Sequence, residues 1–135
     1  MNKVSAIILA AGSGSRFGEK KQFKKLNGHP IWTYSLNTFI DLSLVWGTEP
    51  ILMTQFNRIN LEDELFNKIS SSMINKEEYV KSYLRLNDVI REVSASRNVD
   101  LIDLANLIPS SSNYMYDAVH LNENGSKLAA EIITD

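Results

Sequence analysis

The chain contains no cysteine among its 135 residues, which excludes disulfides and thiolate metal sites. Its net charge of −2 and pI near 5.7 give no general attraction to nucleic acid or to an anionic membrane. No apolar run approaches the roughly 20 residues that a transmembrane helix needs. We therefore expect a cytoplasmic protein whose partners are small molecules, with no nucleic acid or membrane among them. The sequence leaves the oligomeric state open.

What the chain does have is the composition of a folded domain, with 44% hydrophobic and 22% charged residues. Apolar runs beginning at Val4, Pro50 and Val99 predict strands, and amphipathic segments lie between and after them. Alternating strands and helices favour a parallel sheet covered on both sides. We predict one α/β domain over 1–135, a three-layer, Rossmann-like or flavodoxin-like fold with a small parallel sheet and helices on both faces.

Four helices are predicted from apolar spacing and capping residues. The first follows Pro30, the third begins at Asn75 and runs to about Arg97, and the last begins at Asn122. The stripes that mark the first two helices are Trp32, Leu36, Phe39 and Ile40, and then Leu61, Leu65, Ile69 and Met73. No period holds between 41 and 49, and we place a seam there.

The most distinctive stretch is a glycine-rich loop, 12–18, that follows the first apolar run. Gly12, Gly14 and Gly18 permit backbone angles and close approaches that a side chain would block, and successive amides in such a loop bind anions. Arg16 and Lys21 add positive charge where a triphosphate would lie. A tight strand-to-helix turn with exposed cations is the alternative, because glycine spacing alone is a weak motif.

The segment 1–40 resembles the opening of the cytidylyltransferases that act on methylerythritol phosphate or ribitol phosphate. The resemblance rests on the loop and on the residues after it, Lys21-Gln22-Phe23, Leu26, Gly28 and Pro30. It implies a CTP site formed by Ala10, Ala11, Gly12, Ser13, Gly14 and Ser15. It also implies that Arg16 and Lys21 stabilise charge during attack on the α-phosphate, with Mg²⁺ as cofactor. The implied acceptor is a sugar or polyol phosphate, in isoprenoid or surface-polysaccharide precursor synthesis.

A second constellation lies near the end of the chain, where three positions separate Asp117 from His120. The carboxylate can hold one imidazole nitrogen and leave the other to accept a proton from a hydroxyl nucleophile. An aspartate capping a turn beside a surface histidine is the bland alternative. Asp117 also stands in an Asp-Ala pair similar to the metal-binding segment of the transferases, but the residues after His120 favour the hydrolytic interpretation.

From residue 50 to 135 the chain resembles the C-terminal half of the SGNH, or GDSL, hydrolases. The resemblance rests on the strand ending at Thr54-Gln55, the segments 83–87 and 99–104, and the stretch 117–126. It implies that Asp117 and His120 are the last two members of a catalytic triad acting on an ester such as an acylated sugar, without a cofactor. The family's Gly-Asp-Ser nucleophile stretch and Gly-x-Asn-Asp block are both missing from this sequence.

The two resemblances together suggest a mosaic, a fusion with an internal deletion near 41–49. Three functions follow. The first, which we favour, is cytidylyltransferase-type nucleotide binding and transfer, impaired by the missing segments. The second is SGNH-type ester hydrolysis, such as sugar O-deacetylation, and the third is a non-catalytic remnant.

Overall fold

The computed structural model describes residues 24–71 and 75–134. The predicted first strand and the glycine-rich loop lie outside these ranges. The chain divides into two compact units, Met1–Pro50 and Ile51–Asp135, which are described here one at a time. The predicted single domain, its two segments and its seam at 41–49 stay predictions.

In the first unit, a small antiparallel hairpin precedes a helix. Strands β1 (Lys25–Leu26) and β2 (His29–Pro30) are joined by two residues with left-handed backbone, Asn27 at φ 50° and Gly28 at φ 84°. Asparagine followed by glycine is the preferred pair for such a two-residue turn, because both tolerate positive φ. The hairpin leads directly into the helix.

Helix α1 (Ile31–Val45) buries one stripe made of Trp32, Leu36, Ile40 and Ser43. The predicted helix after Pro30 is thereby confirmed, but it continues through residues 41–45, where the sequence shows no period. The reason is that apolar residues in this last part, among them Leu44 and Val45, are exposed. Hydrophobicity therefore does not follow burial there, and the amphipathic pattern disappears although the helix goes on.

The second unit contains a parallel pair of strands, β3 (Ile51–Met53) and β4 (Asp100–Ile102), with Leu52 opposite Leu101. Helices α2 (Glu64–Ile69) and α3 (Lys76–Arg97) lie between these strands in the chain. Helices α4 (Leu104–Leu107) and α5 (Glu123–Thr134) follow them. A small parallel sheet with helices confirms the α/β class and agrees with a three-layer arrangement. β3 and β4 are the parallel strands that the structure shows within residues 24–71 and 75–134.

The caps explain where the helices begin. Asn75 accepts the Glu78 N–H at 3.1 Å, as predicted, and its Nδ2 donates to the Glu78 carboxylate at 2.8 Å. The inclusion of Leu61 in the preceding helix was wrong, because Asp63 accepts the Phe66 N–H at 3.0 Å and so caps α2 at residue 64. Leu61 thus lies before the helix.

The apolar stripe predicted for that helix was wrong as well. Leu61 and Ile69 are exposed, Leu65 is half-buried, and Met73 lies outside the described residues. The buried anchor of α2 is Phe66, which the four-residue spacing does not include.

Two apolar clusters form the core of the second unit. Leu104, Ile108 and Ala129 pack with Ile102 of β4, and Ile59, Phe66 and Ala118 form the other cluster. The first joins the sheet to α4 and α5. The second lies under the loop that contains Asp117 and His120. Within 24–71 and 75–134, no helix has the length and apolar character to cross a membrane.

Candidate functional site

The structure describes two of the predicted site residues and brings them into contact. His120 Nδ1 lies 2.8 Å from Asp117 Oδ2 and 3.0 Å from Oδ1. Because an ionised carboxylate only accepts hydrogen bonds, Nδ1 carries the proton in the neutral imidazole and Nε2 keeps its lone pair. The remaining predicted residues, Ala10 to Arg16 and Lys21, lie outside the described ranges.

Local backbone geometry orients Asp117. Its Oδ1 accepts the N–H groups of Val119 at 2.8 Å and His120 at 2.9 Å, closing a tight turn over the carboxylate. The Val119 N–H, followed by the imidazole of His120, holds the pKa of Asp117 below its ordinary value of 3.8. The carboxylate is therefore ionised at neutral pH and fixed relative to the ring.

The imidazole points to solvent, with 71% of the His120 side chain exposed against 35% for Asp117. No described residue hydrogen-bonds to Nε2, so this nitrogen is open to a ligand or to a hydroxyl group. Within the part of the chain that the structure covers, no serine hydroxyl bonds to the imidazole. The pair thus has the geometry of an imidazole oriented by an ionised carboxylate, with no nucleophile in contact among the described residues.

The loop that presents the pair is closed by backbone hydrogen bonds. The Tyr116 N–H donates to the His120 carbonyl at 2.8 Å, and the Asn122 N–H donates to the Tyr114 carbonyl at 3.0 Å. Met115 and Leu121 form an isolated bridge between the two arms. At its centre Ala118 is buried, and its carbonyl accepts the Arg58 N–H at 2.8 Å.

The start of α5 fixes the other end of this loop. Asn122 Oδ1 accepts the Gly125 N–H at 3.0 Å, which confirms the predicted cap. A Cβ on Gly125 would lie 2.0 Å from the Tyr114 carbonyl oxygen, so only glycine allows this approach. Gly125 lies within the stretch 117–126, but no sequence pattern predicts this close contact.

Polar side chains at the carboxyl ends of β3 and β4 make contacts that the sequence does not predict. Thr54 Oγ1 donates to Asp103 at 2.6 Å, and Arg91 binds the same carboxylate through Nε and Nη2, each at 2.9 Å. Asn87 holds the Gln55 backbone from both sides, accepting its N–H at 2.9 Å and donating to its carbonyl at 2.8 Å. These residues come from distant segments, so no local pattern reveals them.

Metal binding has no candidate cluster in this region. Within residues 24–71 and 75–134, no group of three or more histidine, aspartate or glutamate side chains is arranged to hold an ion. Asp117 is committed to His120 and to two backbone amides.

Comparison with known proteins identifies the class that the N-terminal region resembles. The sequence profile of the MobA-like NTP transferase domain family matches residues 6–60. The match includes the glycine-rich loop, the hairpin and α1, and it extends past the predicted seam to the loop after β3.

The particular proteins that the chain resembles in sequence are 2-C-methyl-D-erythritol 4-phosphate cytidylyltransferases. The Clostridium botulinum (strain Eklund 17B) enzyme is 40% identical over 76 residues, which cover 54% of this chain and 33% of that protein. The Leptospira interrogans enzyme is 43% identical over 61 residues, covering 42% of this chain and 24% of that protein. The chain thus spans about a third of these curated relatives, or less.

The fold resembles a protein of a different class. A crystal structure of a GDSL-like lipase from Bacteroides thetaiotaomicron superposes with a TM-score of 0.54 at 13% identity. The match covers 76% of this chain and 48% of the lipase. At this identity the similarity shows the fold alone. The sequence relatives are transferases, the structural neighbour shares the fold alone, and the fusion itself stays a hypothesis.

Proposed function

We propose that this protein acts through its N-terminal stretch as a nucleotidyltransferase of the cytidylyltransferase type, with CTP as its nucleotide. The observation that carries the proposal is the family match over residues 6–60, together with 40% identity to a cytidylyltransferase over 76 residues. The described part of that stretch supports it, because α1 follows Pro30 as the sequence predicts.

The proposed reaction is an attack by a phosphate oxygen of a sugar or polyol phosphate on the α-phosphorus of CTP. A new P–O bond forms, the bond to the bridging oxygen of the β-phosphate breaks, and pyrophosphate leaves. In this proposal the backbone amides between Ala10 and Ser15 bind the phosphates. Arg16 and Lys21 stabilise the charge that develops in the transition state.

In this proposal Mg²⁺ has one role, that of the cation that accompanies the nucleotide phosphates when the nucleotide is bound. Because the chain spans about a third of its relatives, we propose that turnover is impaired relative to a complete transferase while phosphate binding is retained. A contiguous loop of a few residues needs little of the rest of a domain to bind an anion.

The test is a paired assay on one preparation, measuring pyrophosphate release from CTP with methylerythritol phosphate or ribitol phosphate, and ester cleavage. Arg16→Ala should lower pyrophosphate release about 10²–10³-fold, since it removes one charge-stabilising donor. Lys25→Ala is the matched control, because it removes an exposed cation of β1. Release that is equal in wild type and Arg16→Ala would contradict the proposal.

A second candidate is ester hydrolysis, favoured by the contact between Asp117 and His120. His120 Nε2 would take the proton of a hydroxyl nucleophile as its oxygen attacks the ester carbonyl, while Asp117 holds Nδ1. The ester C–O bond would then break, the alcohol would leave with the proton from Nε2, and water would release the acid from the acyl-enzyme by the same two steps. The sequence suggests Ser13 or Ser15, in the predicted loop at the end of the first strand, as the nucleophile of this candidate.

This second function is tested by hydrolysis of p-nitrophenyl acetate. Activity should be lost in both His120→Ala and Ser13→Ala, whereas His29→Ala is the matched control for unspecific attack by an exposed imidazole. Activity that survives either of the first two changes would reject Ser13 and His120 as a catalytic couple.

A further inference from the structure

A largely buried ion pair lies beside the loop that holds Asp117 and His120. Asp63 Oδ2 accepts hydrogen bonds from Arg58 Nε at 3.0 Å and Nη2 at 2.7 Å. The two side chains are only 12% and 14% exposed. A fork of this kind fixes both partners in one geometry. It therefore holds the two ends of the segment 58–63 together.

Asp63 uses its other oxygen to fix α2. Oδ1 accepts the Phe66 N–H at 3.0 Å, which caps the helix and sets the position of the Phe66 ring. Burial opposes ionisation of Asp63, but the Phe66 N–H and the Arg58 guanidinium outweigh it and lower its pKa from 3.8. One carboxylate thus joins Arg58 to Phe66.

Both of these partners contact the Asp117–His120 loop. The Arg58 N–H donates to the carbonyl of Ala118 at 2.8 Å. Phe66 and Ile59, which are 2% and 3% exposed, enclose the Ala118 methyl group. Ala118 follows Asp117 directly, so the position of its carbonyl sets the direction of the turn over the carboxylate.

We propose that Asp63 is a positioning residue for the Asp117–His120 pair, acting through Arg58 and Phe66 on Ala118. Asp63 has no contact with the imidazole among its described hydrogen bonds, so its effect is carried by the backbone and by packing. The inference takes its functional meaning from the ester-hydrolase candidate. Its readout is spectroscopic and needs no turnover.

The experiment measures ¹⁵N shifts of the His120 ring and hydrogen exchange of the His120 amide at pH 8, on the full chain. Wild type should show the ¹⁵N shifts of the Nδ1–H tautomer. Asp117→Asn gives the reference shifts of an imidazole that has lost its contact with the carboxylate. Asp63→Ala should move the ring shifts toward those of Asp117→Asn. It should also speed exchange of the His120 amide about tenfold, because loss of a cap and of an ion pair weakens the loop's support.

Asn75→Ala is the matched control, since it removes the same kind of cap from α3 without contacting Ala118. Its ring shifts should equal those of wild type. Asp63→Asn keeps a capping oxygen but not the charge, so it should show a smaller change in the same direction even if Asp63→Ala does not fold.

The proposal is overturned if Asp63→Asn, and Asp63→Ala where it folds, keep the wild-type ring shifts and amide exchange. It is also overturned if Asn75→Ala changes the ring shifts as much as they do. Ring shifts that respond to Asp63 in a chain that cleaves no ester support the positioning role and reject the hydrolase function.

Discussion

Asp117 accepts hydrogen bonds from three donors, two backbone amides and one imidazole, and is oriented by all of them. Asp63 and Asp103 are held in the same way by backbone, guanidinium and hydroxyl donors. The pKa of each of these three carboxyls lies below its ordinary value. At the residue scale, each of these three carboxylates thus holds neighbouring segments of the second unit together.

Gly125 allows a prediction at this scale. Gly125→Ala should lower the free energy of unfolding by about 1–3 kcal/mol, because its Cβ would meet the Tyr114 carbonyl at 2.0 Å and push α5 away from the loop. Urea unfolding followed by circular dichroism measures the change. Ser126→Ala, one position further along the same helix and exposed, should stay within about 0.5 kcal/mol of wild type. Equal midpoints for the two variants would show that α5 adjusts without cost.

At the scale of elements, Asp103 joins three parts of the second unit. It binds Arg91 of α3 and Thr54 after β3, and Thr54 in turn accepts the Ala105 N–H of α4 at 2.9 Å. The carboxyl end of the sheet is thus hydrogen-bonded to α3, which precedes β4, and to α4, which follows it.

We expect Asp103→Asn to destabilise the protein by about 1.5–3 kcal/mol at neutral pH, the usual contribution of hydrogen bonds to a charged group. The Arg91 hydrogen bond is the main cause of the lowered pKa of Asp103. Since the folded pKa is below 3.8, this stabilisation is fully present above pH 3.8 and is lost as the pH falls through the folded pKa. Urea midpoints across this range provide the measurement.

The control for this prediction is Glu92→Gln, which breaks an ion pair between Glu92 and Arg85 on the surface of α3. These side chains are 61% and 42% exposed, so the change should cost no more than about 1 kcal/mol. If the urea midpoints of wild type and Asp103→Asn differ as much below the folded pKa of Asp103 as at neutral pH, the stabilisation does not come from the ionised carboxylate.

The sequence predicted those elements whose signals are local. Asn75 and Asn122 cap helices as expected, because capping depends on residues three positions apart. It misplaced α2, since Leu61, Leu65 and Ile69 have the spacing of a helical stripe although Asp63 caps the helix after Leu61. The contact between Asp117 and His120 was predictable for the same local reason.

The surroundings of that pair were not predictable from the sequence. The Arg58 contact to Ala118 joins segments about sixty positions apart in the chain, and its donor is a backbone amide. The contact of Thr54 with Asp103 is similarly distant. No single-sequence pattern identifies pairs that only the tertiary fold brings together.

At the scale of the whole molecule, both tryptophans belong to the first unit but differ in exposure, 8% for Trp32 and 77% for Trp46. We predict that Trp32→Phe leaves a red-shifted emission that iodide quenches strongly. Trp46→Phe should leave a blue-shifted emission that iodide quenches weakly. Similar quenching in the two variants would contradict the burial of α1 along its Trp32 stripe.

The similarity in sequence and the similarity in fold cover different parts of the chain. The profile of the MobA-like NTP transferase domain matches residues 6–60, whereas similarity of fold to a GDSL-like lipase covers 76% of the chain. A mosaic origin is our hypothesis for both, and the neighbouring gene sequence tests it. An uninterrupted full-length relative that lacks the same halves would count against a deletion.

The central claim is that the N-terminal stretch binds CTP, and isothermal titration calorimetry of the full chain with CTP in excess Mg²⁺ tests it most directly. We predict a saturable heat for wild type, for Lys25→Ala and for His120→Ala. For Arg16→Ala we predict binding that is weaker by about tenfold or more, as loss of a charge-assisted contact requires. The absence of heat in wild type, or equal affinity in Arg16→Ala, would contradict the account.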